Sequence, residues 1–450
     1  MTLPSGDVMA NAFTEFLHET KLSDIPPQMQ ALGRQWLLDL LGVATAGTQT
    51  ELSRVIHGHA SAHFGSGARS ARMLFDGRAA SPPGVALAGG CTIDAVDAHD
   101  GHKLTKGHTG CGVLPALAAL CQAEGMDDDQ EFLAAFILGY ELATRAGIAL
   151  HRTTCDYHTS GAWVALGAAR LGARVMGLTG DQTRHAIGIA EYHGPRSQMM
   201  RVIDHPTMLK DGSGWGAMSG VSAAYLAADG FTGAPAITVE GADVRDLWES
   251  LGQRWCIAEQ YFKHFPVCRW AQPPVQAVLD LRRAHGLQSE AVDHIQIETF
   301  HHSKRLATRE PKTTEEAQYS TAFPTAVALV RGRVDPADVA DAALNDPEIT
   351  RIAQCMLINE DAGFTAAFPE RRIARVTVVL KDGQRLTSAD TEAPGDPEHP
   401  VSNVDVMAKF HAYATPVLGA DRARAIEAAV DGLGKGGGLS ALRAAILPAP

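Results

Sequence analysis

The sequence predicts a mainly α protein with an α+β part: a large all-helical domain, a smaller α+β domain inserted late in the chain, and a tail returning to the helices. Three observations predict it. Residues 1 to about 265 carry apolar residues at helical spacing and little strand signal. Residues from about 270 to 395 mix alternating, β-branched runs with helical ones. After EAPGDPEHPVS, a linker rich in Pro and acid, helical spacing resumes. We set the large domain at 1–268 and 397–450 and the smaller one at 269–396.

The elements follow in order. QALGRQWLLDLLGVATAG places Leu32, Trp36, Leu37, Leu40 and Leu41 on one helix face, with Gly47 as a stop. GVLPALAALCQAEG is a second helix, with Pro115 near its start and Gly125 as its end signal. Asp127, Asp128 and Asp129 precede EFLAAFILGYELATRAGIAL, where acids suit the positive end of a helix dipole. GAWVALGAARLGARVMG, DQTRHAIGIAEY and GWGAMSGVSAAYLAADG read as helices rich in Gly and Ala, able to pack backbone against backbone. AVDHIQIETF reads as a strand, and RIARVTVVLKDGQRLTSADTEA as a hairpin turning at Lys381-Asp382-Gly383. PTAVALVRGRV and PADVADAALNDPEITRIAQCM are the helical segments between them, covering one sheet face. NVDVMAKFHAYATPVL and ADRARAIEAAVDGL return to helix. GLGKGGGLSAL lacks the G-xxxx-G-K-S/T spacing of a phosphate loop and reads as a flexible turn.

Composition excludes several classes. Lys plus Arg is 39 against 51 for Asp plus Glu, a formal charge of -12, which argues against a nucleic-acid binder. No stretch reaches the ~20 apolar residues of a membrane helix, so no membrane partner is expected. The start, MTLPSGDVMANAFTEFL, lacks the pattern of a signal peptide. Seven scattered cysteines, none spaced CxxC, fit reduced thiols and a cytoplasmic location.

The densest chemistry is DAVDAHDGHKLTKGHTGCGVLPALAAL, residues 94–120. Asp94, Asp97, His99, Asp100, His102, Lys103, Lys106 and His108 stand there on a loop entering a helix. The helix start favours an anion, the lysines add positive charge, and histidines move protons near neutral pH. A solvated polar loop is the bland alternative. A metal site is a further one, weakened by the adjacent lysines and the lack of HExxH. His158 stands before a small-residue helix start that Thr159 or Ser160 can cap. Lys210 precedes GWGAMSG, and Lys263, His264 and Arg269 lie where the two textures meet, a reasonable place for an anionic ligand. Singly, each has a structural explanation. Cys111 and Cys268 lack an adjacent base in sequence and read as packing residues.

Taken together these segments resemble the MmgE/PrpD family, which includes 2-methylcitrate dehydratases, cis-aconitate decarboxylases and iminodisuccinate epimerases. The resemblance runs nearly end to end: LLDLLGVATAG; His108 six residues before Leu114-Pro115; His158; Lys210 before GWGAMSG; KHFPVC from Lys263; AQYSTAFPTAVAL; and MAKFHAYATPVLG. It implies a helical domain with a smaller α+β lid domain, a homodimer, and a site in the cleft between the domains needing no metal or organic cofactor. It implies Asp97, His108, His158, Lys210 and Lys263 as catalytic residues. Asp100, His102, Lys106, His264 and Arg269 are the expected substrate contacts. One loop departs: where the family commonly shows D-F-D-D-T/S, this chain reads DAVDAHDGHKLTKGH, with Gly101 at the hydroxyl position.

The expected reaction is a dehydratase-type elimination on a small di- or tricarboxylate. Lysines stabilise charge developing beside a carboxylate, and a histidine moves the proton. Epimerisation or decarboxylation of a related acid is the alternative. A non-catalytic carboxylate-binding relative and a metal hydrolase are the readings from other classes.

Overall fold

The computed structural model describes residues 14–448. The start of the chain, on which the signal-peptide expectation rests, lies outside the described residues. The fold is mainly α with a small mixed sheet, as the two textures predict.

The helical part is organised on Pro27–Gly47, whose first turn carries Pro27 and whose buried residues include Leu37, Leu40, Leu41 and Val43. The tail helix Asn403–Leu418 lies against it, close enough that a Cβ at Gly42 would sit 3.2 Å from Phe410 Cα. Lys409 on the tail pairs with Asp39 at 2.7 Å. Asp129–Thr153 starts where the Asp128 carboxylate accepts from the N–H groups of Gln130 and Glu131, which fixes the role of the acid run. By length and composition this helix is apolar enough to cross a membrane, contrary to our reading of the sequence. Its apolar window is wholly buried among other helices, as a core helix requires.

Glycines set the closest approaches. A Cβ on Gly90 would lie 2.5 Å from Gly214 Cα, so Pro82–Asp94 and Ser213–Ala228 touch through backbone. That contact brings the end of the first helix beside the start of the second, where site residues lie.

The sheet belongs to the second apolar core. Its order is Met356–Glu360, Val292–Thr299, Ile373–Leu380, Arg385–Thr387, with Thr391–Glu392 also pairing Ile373–Leu380. The first pair is parallel and the others antiparallel. Alternation leaves Val292, Ile295, Ile297 and Thr299 buried while Asp293 and Glu298 face solvent. Helices Gln272–His285, Ala322–Arg331 and Pro347–Gln354 contribute to the same core. The first core joins residues 17–262 to residues 406–447; the second runs from 265 to 386 and also takes Met199, Val202 and Ile203.

Four local features differ from the sequence reading. Pro115 is inside helix Gly110–Ala123, because the helix starts at Gly110, earlier than the proline suggests. The segment from Pro336 is not one helix: turns at Pro336–Asp338 and Asp341–Ala343 precede a helix at Pro347–Gln354, restarted by Asp346 as cap. In GLGKGGGLSAL, the turn carries Gly434, Gly436 and Gly437 at positive φ, and Gly438 already opens helix Gly438–Ile446. Two short strand pairs also occur in the helical part, one joining Gly101–His102 to Gln260–Tyr261.

Candidate active site

The loop between Pro82–Asp94 and Gly110–Ala123 is tied at both ends. Asp94 accepts from Ser213 N (3.1 Å) and Ser213 Oγ (3.2 Å). The Asp100 carboxylate accepts from Thr109 N (3.1 Å), Gly110 N (3.2 Å) and Tyr140 Oη (3.0 Å). It therefore serves the orphan N–H groups of the helix start. The Asp100 carbonyl accepts from His108 Nδ1. That bond assigns the tautomer, leaving Nε2 as the free lone pair.

His108 Nε2 faces two carboxylates, Asp97 Oδ1 and Asp211 Oδ2, each at 3.7 Å. Both distances exceed a hydrogen bond, so Nε2 remains available. Ser160 Oγ accepts from His108 N (2.9 Å) and donates to Asp211 Oδ2 (2.7 Å). Lys263 Nζ donates to Asp97 Oδ1 and to its carbonyl. Lys210 Nζ donates to Gln318 Oε1 (2.8 Å), which also accepts from Asp97 N (2.8 Å). The ammonium lies 4.8 Å from the centre of the Tyr319 ring. Lys210 takes a φ of +47°, a left-handed conformation that costs a non-glycine residue on the order of 1 kcal/mol. The strain fits a side chain held for a task.

All these groups are buried, and burial separates their protonation states. Burial raises Asp211 and Asp94 above the ordinary carboxylate range. Burial would raise Asp97 too, but Lys263, His108 and Lys210 overcome it and hold Asp97 well below that range. Burial and then Lys263 lower both His108 and His99 to about 4, and the His99 ring adds to the lowering of His108. Lys210 is lowered by burial; Lys263 is raised because Asp97 outweighs the same penalty. The result is a neutral imidazole, an ionised carboxylate and a carboxyl inclined to keep its proton, all beside two lysines.

Asp97, His108, Lys210 and Lys263 therefore come together. His158 does not join them by any recorded bond: its Nδ1 is 3.6 Å from Asp156 Oδ1, and its N–H donates to His151 Nε2. Among the expected substrate contacts, Asp100 is committed to the helix start. His102 Nε2 is 3.0 Å from Glu259 Oε2. Arg269 donates to Asp396 Oδ1 (2.7 Å) and to the carbonyls of Ala393 and Pro394, tying the junction to the linker. His264 Nε2 is buried without a partner, and Lys106 Nζ lies 5.2 Å from the centre of the Tyr157 ring. Cys111 and Cys268 are buried, and burial pushes the Cys268 thiol up to about 12.

Asp211, Ser160 and Gln318 were not predicted as site residues. Adjacency to Lys210 signals Asp211, and AQYSTAF signals Gln318. Among the described residues, two donor sets lie close enough for a small cation, Asp94–His99–Cys111 and Asp97–His99–His108, with ligand atoms within 4.8 Å. Lys263 already neutralises Asp97, and the Cys111 thiol is raised by burial, so neither set is poised for a divalent ion.

Comparison with known proteins places the chain among relatives of known family. The family models for the MmgE/PrpD N-terminal domain and C-terminal domain match residues 11–245 and 265–435. The cis-aconitate decarboxylase-like protein oryM of Aspergillus oryzae is 22% identical over 98% of this chain and 98% of its own. The cis-aconitate decarboxylase of Homo sapiens is 23% identical over 92% of this chain and 89% of its own. The 2-methylcitrate dehydratase of Salmonella typhimurium is 25% identical, over 49% of this chain and 50% of its own.

Proposed function

The chain belongs to the MmgE/PrpD family, and from that premise we propose that it is a lyase acting on a small di- or tricarboxylic acid by proton abstraction and elimination. One observation carries the proposal. His108 Nε2 stands free of a hydrogen bond between Asp97 and Asp211, with Lys210 and Lys263 alongside, all of them buried side chains.

Lys210 takes a substrate carboxylate, exchanging its bond to Gln318 for a charged one. Lys263, held by Asp97, faces the charge that develops beside that carboxylate. His108 Nε2 removes the neighbouring C–H proton. The C–H electrons become the new C=C bond, the C–O bond breaks, and Asp211 gives its proton to the departing hydroxyl, which leaves as water. Base and acid keep different protonation states, as elimination requires. The pathway needs no group beyond the side chains named.

Decarboxylation is the second reading. It is favoured by relatives that match over nearly the whole chain, against half for the dehydratase. There the C–C bond to a carboxylate breaks, CO2 leaves, and the carbanion takes its proton from Asp211. Exposed Tyr192, Met208, Leu209 and Trp215 support self-association as a homodimer. Seven free cysteines support a reducing, cytoplasmic setting.

Proton NMR in D2O with methylcitrate, citrate, cis- and trans-aconitate and iminodisuccinate tests the proposal. A new alkene signal from methylcitrate or citrate supports elimination. Loss of CO2 from cis-aconitate transfers the case to decarboxylation, and deuterium exchange with stereochemical scrambling alone to epimerisation. Binding with no chemistry on any acid makes it a carboxylate-binding relative.

A further inference from the structure

Arg372 immediately precedes the strand Ile373–Leu380, and it is 3% exposed. Its Nε and Nη1 are buried with no hydrogen-bond partner. A buried guanidinium left in this way is costly, and natural proteins rarely leave one without a reason. Its visible support is the Tyr261 ring, whose centre lies 5.1 Å from the Arg372 guanidinium and 4.9 Å from that of Arg269. The acids nearby are committed. Asp396 accepts from Arg269 through Oδ1 (2.7 Å) and faces Lys103 with Oδ2 (3.4 Å), so its attraction for Arg372 is shared with two other cations, and Glu370 is exposed. Lys106 is the second cation in reach; its left-handed φ of +51° fixes it on a tight turn over Tyr157. Burial lowers Lys106 and Arg372 lowers it further, with Glu370 opposing both, as expected where two cations stand close together.

The departure at Gly101 explains why the arginine can stand there. A Cβ at Gly101 would overlap the Tyr261 ring and hydroxyl. Glycine at this position lets Tyr261 close on the loop, and Tyr261 then carries Arg372. The loop change and the unpartnered guanidinium are two ends of one packing arrangement.

We propose that Arg372, supplied by the small domain, forms with Lys106 a second carboxylate subsite that selects substrates bearing a carboxymethyl arm beyond the carboxylate held at Lys210. The inference rests on the carboxylate reading above and narrows it to acids with at least two well-separated carboxylates. Arginine is suited to this role because its planar fork binds a carboxylate through two parallel hydrogen bonds.

The test is isothermal titration of the full chain with methylsuccinate and with isobutyrate, the same skeleton with the carboxymethyl arm cut to methyl. The wild type is expected to bind methylsuccinate at least tenfold more tightly, about 1.4 kcal/mol. Arg372→Gln is expected to erase that preference and leave isobutyrate affinity unchanged. Lys106→Gln, on a half-buried turn, reduces the preference in the same direction and guards against a folding defect. The subsite is overturned if the wild type shows no preference, or if Arg372→Gln weakens both ligands alike or neither. Lys210→Ala separates the two claims: if both acids still bind it with wild-type affinity, the catalytic reading of Lys210 fails while the Arg372 preference stands or falls alone.

Discussion

Burial shifts His108 and Asp211 in opposite directions, as the proposed elimination requires of a base and an acid. The ordinary imidazole titrates near 6.5 and the ordinary carboxyl near 4; here burial moves the first down to about 4 and the second up. The base is thus free above about pH 4, and the acid keeps its proton to a higher pH than an ordinary carboxyl. We expect kcat/KM to fall as pH drops through about 4, where His108 becomes protonated. A pH–rate profile with an acid limb at 6.5 would contradict this. His108→Ala and Lys210→Ala are expected to lower turnover by about 10²–10⁴-fold or more, with circular dichroism and melting temperature close to wild type. Ser160→Ala cuts the link between His108 and Asp211, so it should lower kcat and leave KM nearly unchanged. His264 makes a separate test of linkage. Its folded value is about 4 against an ordinary 6.5, lowered by burial and then by Lys409. The unfolded chain therefore binds more protons between those values. The stability it contributes is complete above pH 6.5 and is lost as pH falls toward 4. His264→Leu should lose less stability than wild type across that window, by about 1–3 kcal/mol, read by denaturant melts at each pH.

At the scale of elements, the site depends on how one loop is pinned. Asp100 closes the N-terminus of Gly110–Ala123 and, through its carbonyl, sets the His108 tautomer. Asp100→Ala should destabilise the protein by about 1–2 kcal/mol in chemical denaturation, since two N–H groups and the Tyr140 hydroxyl lose their acceptor. Residue types and spacing made the loop legible as a site, and periodicity made the helices legible, because both are local properties. What each side chain binds is not local. Arg269 was expected to meet substrate, yet its donors go to Asp396 and to carbonyls at 393 and 394, which only the folded junction brings near. Gln318 stands far along the chain from both groups it bridges, Asp97 and Lys210. Arg372 sits in a run that reads as the beginning of a hairpin, and the Tyr261 ring that supports it lies far back along the chain. Asp335 and Asp346 broke a segment whose spacing suggested continuous helix, because each caps a new turn.

Across the whole molecule, the returning tail is what ties an early helix to the site loop. Lys409 lies at 2.7 Å from Asp39 and donates to the carbonyl of Ala98 at 2.6 Å, one residue from Asp97. Burial raises Asp39 to about 6 and lowers Lys409, so the pair is a burden as well as a tie. Lys409→Ala should destabilise by about 3–5 kcal/mol, because it leaves Asp39 buried alone. The double variant Asp39→Leu with Lys409→Met should recover most of that loss; a double variant as unstable as the single would show that packing, not charge, sets the cost.

That same lysine has a consequence for how the protein is made. During synthesis the loop bearing Asp97, Asp100 and His108 leaves the ribosome early, with its helices able to begin packing. Its carbonyl at Ala98 has no ammonium to bind until the chain has grown to residue 409, roughly three hundred residues later. The first core likewise lacks Phe410, Ile426 and Leu442 until the last helices emerge. The brace on this loop thus arrives only once residue 409 has been made, so a chain interrupted before it carries Asp97 and His108 without the contact that holds them.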